Sequence, residues 1–211
     1  GGLLHLFYPT FGIYRPSQDS QGEIDANGFH SLFSVFKAAT AIDYKNYSSE
    51  ANREMKGAAT LQDARVIQFK PDIDDNVALS IQSLFPSVVL QQIQNTLAAR
   101  QVIARAVDQT ELIWTYFGYA DDDAEMTRHR IRNLNLVGPA GYISMEDGEA
   151  VELCQNGTAG SEGVRSYVTM GNDGGINRFV APIGMDENNV RGFWKGYFDL
   201  MRGWDQVNDR S

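Results

Sequence analysis

The apolar and polar positions divide the chain into a strand-rich first half and a helix-rich second half. VALSIQ alternates, with Val77, Leu79 and Ile81 on one face and Ala78, Ser80 and Gln82 on the other, as a half-buried strand requires. SVVLQQIQ, TLAARQVIA and ELIWTYFGYA follow at short spacing, so the stretch from about 59 to 119 predicts an antiparallel meander. Upstream, FHSLFSVF predicts a further strand, preceded by turns around GEIDANG, whereas 37 to 57 is polar, without a period, and reads as loops and short helices. After YADDD, whose aspartates suit a helix N-terminus, the spacing predicts a helix over AEMTRHRIRNLNL that Gly138-Pro139 ends. A second helix is predicted through ISMEDGEAVELCQ, then a Gly-rich loop, then a closing amphipathic helix over DENNVRGFWKGYFDLMRGW. Strands first and helices afterwards indicate an α+β domain, with helices laid against a curved sheet.

The opening GGLLHLFYPT is an apolar run that begins with no capping residue, and it reads as the remnant of a helix from a longer chain. It lacks the basic start and small-residue cleavage site of a signal peptide. Pro9, Gly12, Arg15 and Pro16 interrupt it, well short of the roughly 20 apolar residues that span a membrane. With 211 residues, 43% of them hydrophobic, and no linker-like stretch, one domain over 1–211 is expected. The net charge of -9 argues against a nucleic-acid surface, and the one dense basic run, RHRIR at 128–132, reads as a solvated helix face. The single cysteine, Cys154, excludes a disulfide framework and a self-contained iron–sulfur cluster, and fits a reducing cytoplasm.

Candidate chemistry lies in GPAGYISMEDGEAVELCQ. On a helix Ile143, Asp147, Val151 and Cys154 share one stripe, which sets Asp147 among apolar neighbours while Glu146, Glu149 and Glu152 point elsewhere. A lone carboxylate there is costly unless something positive compensates it. Asp147 is therefore a cation ligand, a partner of an arginine, or a cap for the turn at Gly148. His5 stands between ligand and satisfied core residue, whereas His30 and His129 read as structural or solvated.

The runs LFPSVVLQQIQNTLAARQ, TYFGYADD, NLVGPAGYISMEDGEAVEL and VRGFWKGY together resemble the catalytic half of the large (alpha) subunit of Rieske-type aromatic-ring-hydroxylating oxygenases, with most likeness to the salicylate hydroxylase and terephthalate dioxygenase group. The resemblance extends from His5 to about Met201. It implies a helix-grip (START-like) fold and a mononuclear non-haem Fe(II) held by His5 and Asp147. The family's remaining histidine ligand would fall one position before Gly1, so these residues alone are expected to be inactive. Two imidazoles and a carboxylate on one face of Fe(II) leave positions open for O₂. The resemblance further implies a Rieske [2Fe-2S] cluster in the full-length parent only, NADH electrons delivered through a separate reductase or ferredoxin, and a trimer or a hexamer with a small beta subunit. Arg100 matches the position that the terephthalate enzymes use to hold a substrate carboxylate, and its planar fork suits that task. Arg178 is a second candidate for the same role, or a solvated loop residue. Val137 and Ile143 wall an apolar slot into which Ile81 faces from the sheet, and Arg191 reads as a packing or interface residue. The expected function is mono- or dioxygenation of an aromatic carboxylate in aromatic compound catabolism, in the cytoplasm, without nucleic acid or membrane. The alternative is a non-catalytic helix-grip module that binds an aromatic or lipid ligand in an apolar cavity without metal.

Overall fold

The first chain reversal is set by a carboxylate. In a computed structural model, which describes residues 20–36, 64–73, 77–161, 163–165, 179–180 and 187–208, β1 (Ser20–Ile24) turns back into β2 (His30–Phe36). Asp25 accepts the backbone N–H of His30 at 2.8 Å and that of Asn27 at 3.3 Å. These bonds, the His30 one foremost, hold its carboxyl below the usual carboxylate range. The GEI of GEIDANG is therefore strand, and only the residues after it turn.

The predicted meander is present as β3 (Val77–Leu84), β4 (Val88–Ile93), β5 (Thr96–Ala106) and β6 (Gln109–Phe117). With β7 (Phe179–Val180) paired to β1, they form an antiparallel sheet in the order β6-β5-β4-β3-β2-β1-β7. Strand character does not extend back to 59, because Ala64–Ile67 is a short 3-10 helix. Asn95, in the tight turn between β4 and β5, fastens the segment after it by accepting the Lys70 N–H at 2.8 Å and donating to the Lys70 carbonyl at 2.6 Å.

Three helices follow: α1 (Ala124–Val137), α2 (Tyr142–Ala159) and α3 (Asn188–Asn208). Asp123 caps α1 by accepting the Met126 N–H at 2.7 Å. At its other end, a β-carbon on Gly138 would stand 2.5 Å from the Leu134 carbonyl oxygen and one on Gly141 2.6 Å from the Leu136 carbonyl carbon, so GPAG admits a turn too tight for side chains. Val66, Leu136 and Val137 form a buried cluster against which Ile93 and Ile143 pack, which seats α1 and the start of α2 on one face of the sheet. The other end of that fold is closed by α3, which packs on β1 and β2. Gly192 and Gly196, one turn apart, make this approach possible. A β-carbon on Gly192 would lie 2.8 Å from Ile24, and one on Gly196 2.9 Å from the Phe29 ring.

Two sequence expectations are corrected. RHRIR is only partly a solvated face: Arg128 and Ile131 are exposed, but His129 and Arg130 are 1% and 5% exposed. Arg130 is buried because its charge is matched by Asp72 at 2.8 Å and Asp122 at 2.7 Å, while it also donates to the Asn95 carbonyl and lies over the Tyr119 ring. Nor does the Asp147 stripe lie wholly among apolar neighbours, because α2 has no buried residue and Val151 and Cys154 are exposed. Periodicity shows which residues share a face of a helix, but not how far the packing beneath it extends. Among the described residues, no helix is long and apolar enough to cross a membrane.

Candidate functional site

Strand alternation and register bring the polar residues of the sheet together. On the face that carries Ile93, and hence the helices, one cross-strand row runs Phe33, Ile81, Gln91, Ala98, Tyr116, and the next runs Ser31, Ser83, Val89, Arg100, Trp114. Side chains directly opposite stand about 4.5 to 5.5 Å apart at Cβ, which makes each row a continuous surface. Arg100 thus projects from the same face as Ile81. Its guanidinium carbon lies 5.1 Å from the centroid of Trp114, and Trp114 stacks on Tyr116 with centroids 5.8 Å apart.

Burial lowers the Arg100 pKa, and the charges of Asp147 and Tyr116 oppose that shift. Asp147 sits on α2 one helical turn beyond Ile143, which packs on the buried cluster. Arg100 Nε, the Tyr116 hydroxyl and both polar atoms of the Gln91 amide are buried without a hydrogen-bond partner among the described residues. The Tyr116 phenol is pushed up to about 12 by burial. A half-buried cation with an unused donor, an apolar floor and a carboxylate nearby can hold an anionic, partly apolar molecule. The planar fork matches a carboxylate.

Arg100 and Ile81 thus share one face of the sheet two strands apart, and Asp147 lies exposed on α2. Val137 is 2% exposed and lies in the cluster under α2, with Ile143 packed on it. His5 and Arg178 lie outside the described residues. The sequence reading missed Gln91, Trp114 and Tyr116. The alternation in QTELIWTYF holds the signal, since Trp114 and Tyr116 are two apart, but only the register with β5 sets them beside Arg100. A separate buried polar network surrounds His129, whose Nε2 meets Asn95 Oδ1 at 3.0 Å. Burial first, then the charges of Lys70, Arg132 and Arg130, lower its pKa, while a Gln68 backbone bond opposes them.

No family model matches the chain. It is 39% identical over 196 residues to the terephthalate 1,2-dioxygenase terminal oxygenase component subunit alpha 2 of Comamonas sp, covering 92% of this chain and 46% of that protein. It is 40% identical over 202 residues to the anthranilate 1,2-dioxygenase large subunit of Burkholderia cepacia, covering 94% and 46%. It is 29% identical over 177 residues to the salicylate 5-hydroxylase large oxygenase component of Ralstonia sp, covering 81% and 40%. Among solved structures, naphthalene 1,2-dioxygenase from Rhodococcus sp. bound to indole superposes with a TM-score of 0.60 at 14% identity, over 94% of this chain and 49% of that one. That likeness shows the fold, a helix-grip sheet with helices. The chain spans about half the length of the curated relatives it matches, and it belongs to the family of large (alpha) subunits of Rieske-type aromatic-ring-hydroxylating oxygenases.

Proposed function

We propose that this chain binds an aromatic carboxylate and takes part in its ring hydroxylation with O₂, as part of an oxygenase large subunit acting in aromatic catabolism in the cytoplasm. The observation that carries the reading is Arg100: a half-buried guanidinium, set over Trp114, with Nε unused, on the sheet face that also bears Ile81. Its donors hold the substrate carboxylate, and Trp114 and the β5 backbone fix the fork. Ile81, on the same face, offers apolar surface for the ring, and Ile143 borders it from α2. Arg178 is the second candidate cation for a substrate with two carboxylates.

The donor chemistry fits a mononuclear non-haem Fe(II). Asp147 is an exposed carboxylate on α2 whose charge acts on Arg100. His5 and Asp147 would hold the metal, and His5 would orient through its second ring nitrogen. Such an iron, when bound, supplies O₂ activation beside the ring. Its electrons come, in this proposal, from NADH through a reductase or ferredoxin and a Rieske [2Fe-2S] centre of the full-length subunit, in a trimer or in a hexamer with a small beta subunit. The relatives are named as an oxygenase component or a large subunit.

Titration calorimetry with benzoate tests the reading. Arg100→Leu should weaken binding by about 2 kcal/mol, roughly 30-fold, the low end for losing a charge partner because Arg100 is only half-buried. Unchanged affinity would make the arginine structural. The alternative, a non-catalytic module, predicts ligand binding with no Fe(II) uptake by the same protein.

A further inference from the structure

Arg100 stands in its row of the sheet between Val89 of β4 and Trp114 of β6. Val89 offers it only an alkyl group, and Nε has no hydrogen-bond partner among the described residues. The guanidinium carbon lies instead over the Trp114 ring, 5.1 Å from its centroid. Both residues are half-buried, so the attraction of the cation to the electron-rich face of the indole is less screened by water than on an open surface. An arginine side chain has several rotatable bonds, and a fork left loose must give up that freedom when a carboxylate binds, which weakens binding. The indole is itself braced. Tyr116, two residues further along β6 on the same face, stacks on it with the ring planes 17° apart.

From these observations we infer that Trp114 is the positioning residue of the carboxylate anchor: it touches no atom of the ligand and acts through Arg100, whose guanidinium it holds by cation–π attraction while the donors of the fork stay free. Tyr116 keeps the indole in place by stacking. The inference rests on the reading of Arg100 as the carboxylate anchor. It carries a consequence that packing alone does not, because the electron density over the ring at 114, and not only the space the ring fills, then sets how tightly an acid binds. Leucine at this position would keep an apolar contact with Tyr116 and leave the cation unheld. A phenyl ring would hold it less well than the indole, since tryptophan is the strongest of the aromatic side chains in this role.

The test is calorimetric titration of the full chain with benzoate, for the wild type, Trp114→Leu, Trp114→Phe, Arg100→Leu and the double variant Trp114→Leu with Arg100→Leu. Trp114→Leu should weaken benzoate binding about three- to tenfold, as expected for losing a partly desolvated cation–π pair, and Trp114→Phe should fall between it and the wild type. In the Arg100→Leu background, Trp114→Leu should change nothing further, because the indole acts only through the guanidinium. A fluorinated tryptophan placed at 114 alone gives a second readout that keeps the shape of the side chain. Fluorine draws electron density from the ring, so benzoate binding should weaken stepwise with each fluorine added. The inference is overturned, with Arg100 remaining the carboxylate anchor, by any of three results: Trp114→Leu matches the wild type while Arg100→Leu does not, the Trp114→Leu loss persists in the Arg100→Leu background, or the fluorinated protein binds benzoate as the wild type does. If Arg100→Leu itself leaves benzoate affinity unchanged, or the wild type binds no benzoate, the Arg100 reading falls, and this inference falls with it.

Discussion

Replacing Gly28 with alanine asks whether glycine sets how deeply α3 sits on the β1–β2 hairpin. Gly28 has φ +81°, and a β-carbon there would stand 2.7 Å from the Gly192 carbonyl oxygen and 3.4 Å from the carbon. Two costs add. Alanine in the left-handed region is disfavoured by roughly 1 to 2 kcal/mol. The clash is with backbone, which has no rotamer to escape into, and overpacking of this kind costs about 1 to 3 kcal/mol. The sum is about 2 to 5 kcal/mol, and in a chain of this size each kcal/mol moves Tm by about 2 to 4 °C, so a fall of about 4 to 20 °C is expected. Gly157→Ala and Gly203→Ala are the controls, since a β-carbon at either meets nothing within 4 Å. Both lie inside helices and should gain roughly 0.5 to 1 kcal/mol. Thermal unfolding followed by circular dichroism at one pH reads all three. If Gly28→Ala melted within about 1 °C of the wild type, the close seating of α3 on the hairpin would not be a determinant of the fold.

Two further predictions concern the polar network under α1. Because the folded pKa of His129 lies below its ordinary value of 6.5, the unfolded chain takes up a proton first as pH falls. Stability contributed by the neutral imidazole is thus present above 6.5 and lost as pH drops towards the folded pKa; His129→Gln should flatten a plot of Tm against pH in that window. Arg130→Met should cost about 3 to 5 kcal/mol, read by urea unfolding, because Asp72 is left nearly buried without its counter-charge; Arg130→Lys should restore only part of it, since an ammonium cannot make the fork contacts.

Much of the fold was legible, because strand period and helix punctuation are local. The alternation of Val77, Leu79 and Ile81, the Asp123 cap and the Gly138-Pro139 break each fix an element within a few residues. What stayed hidden depends on pairing at long range. Arg130 reads as a surface charge until Asp72, far earlier in the chain, is placed beside it. Gln91 and Tyr116 read as ordinary strand residues until the register aligns both with Ala98. Arg100 is a candidate through family likeness, and the geometry adds its place over Trp114. The Asp147 stripe lies along one side of α2 but is not covered there, because α2 packs on α1 and nothing local records how far that packing reaches.

The central claim is that one site holds a metal ion at Asp147 and an aromatic carboxylate at Arg100. A crystal of the protein grown anaerobically with Fe(II) and benzoate, with diffraction recorded at the iron absorption edge, measures both at once. The account predicts one anomalous peak about 2.0 to 2.2 Å from a carboxylate oxygen of Asp147 and from a ring nitrogen of His5, by analogy with the bond lengths of similar metal–ligand pairs. It predicts the benzoate carboxylate on the Arg100 guanidinium and the ring on the sheet face that bears Ile81. An iron peak away from Asp147, or His5 and Asp147 on opposite faces of the sheet, or benzoate bound without contact to Arg100, would contradict it.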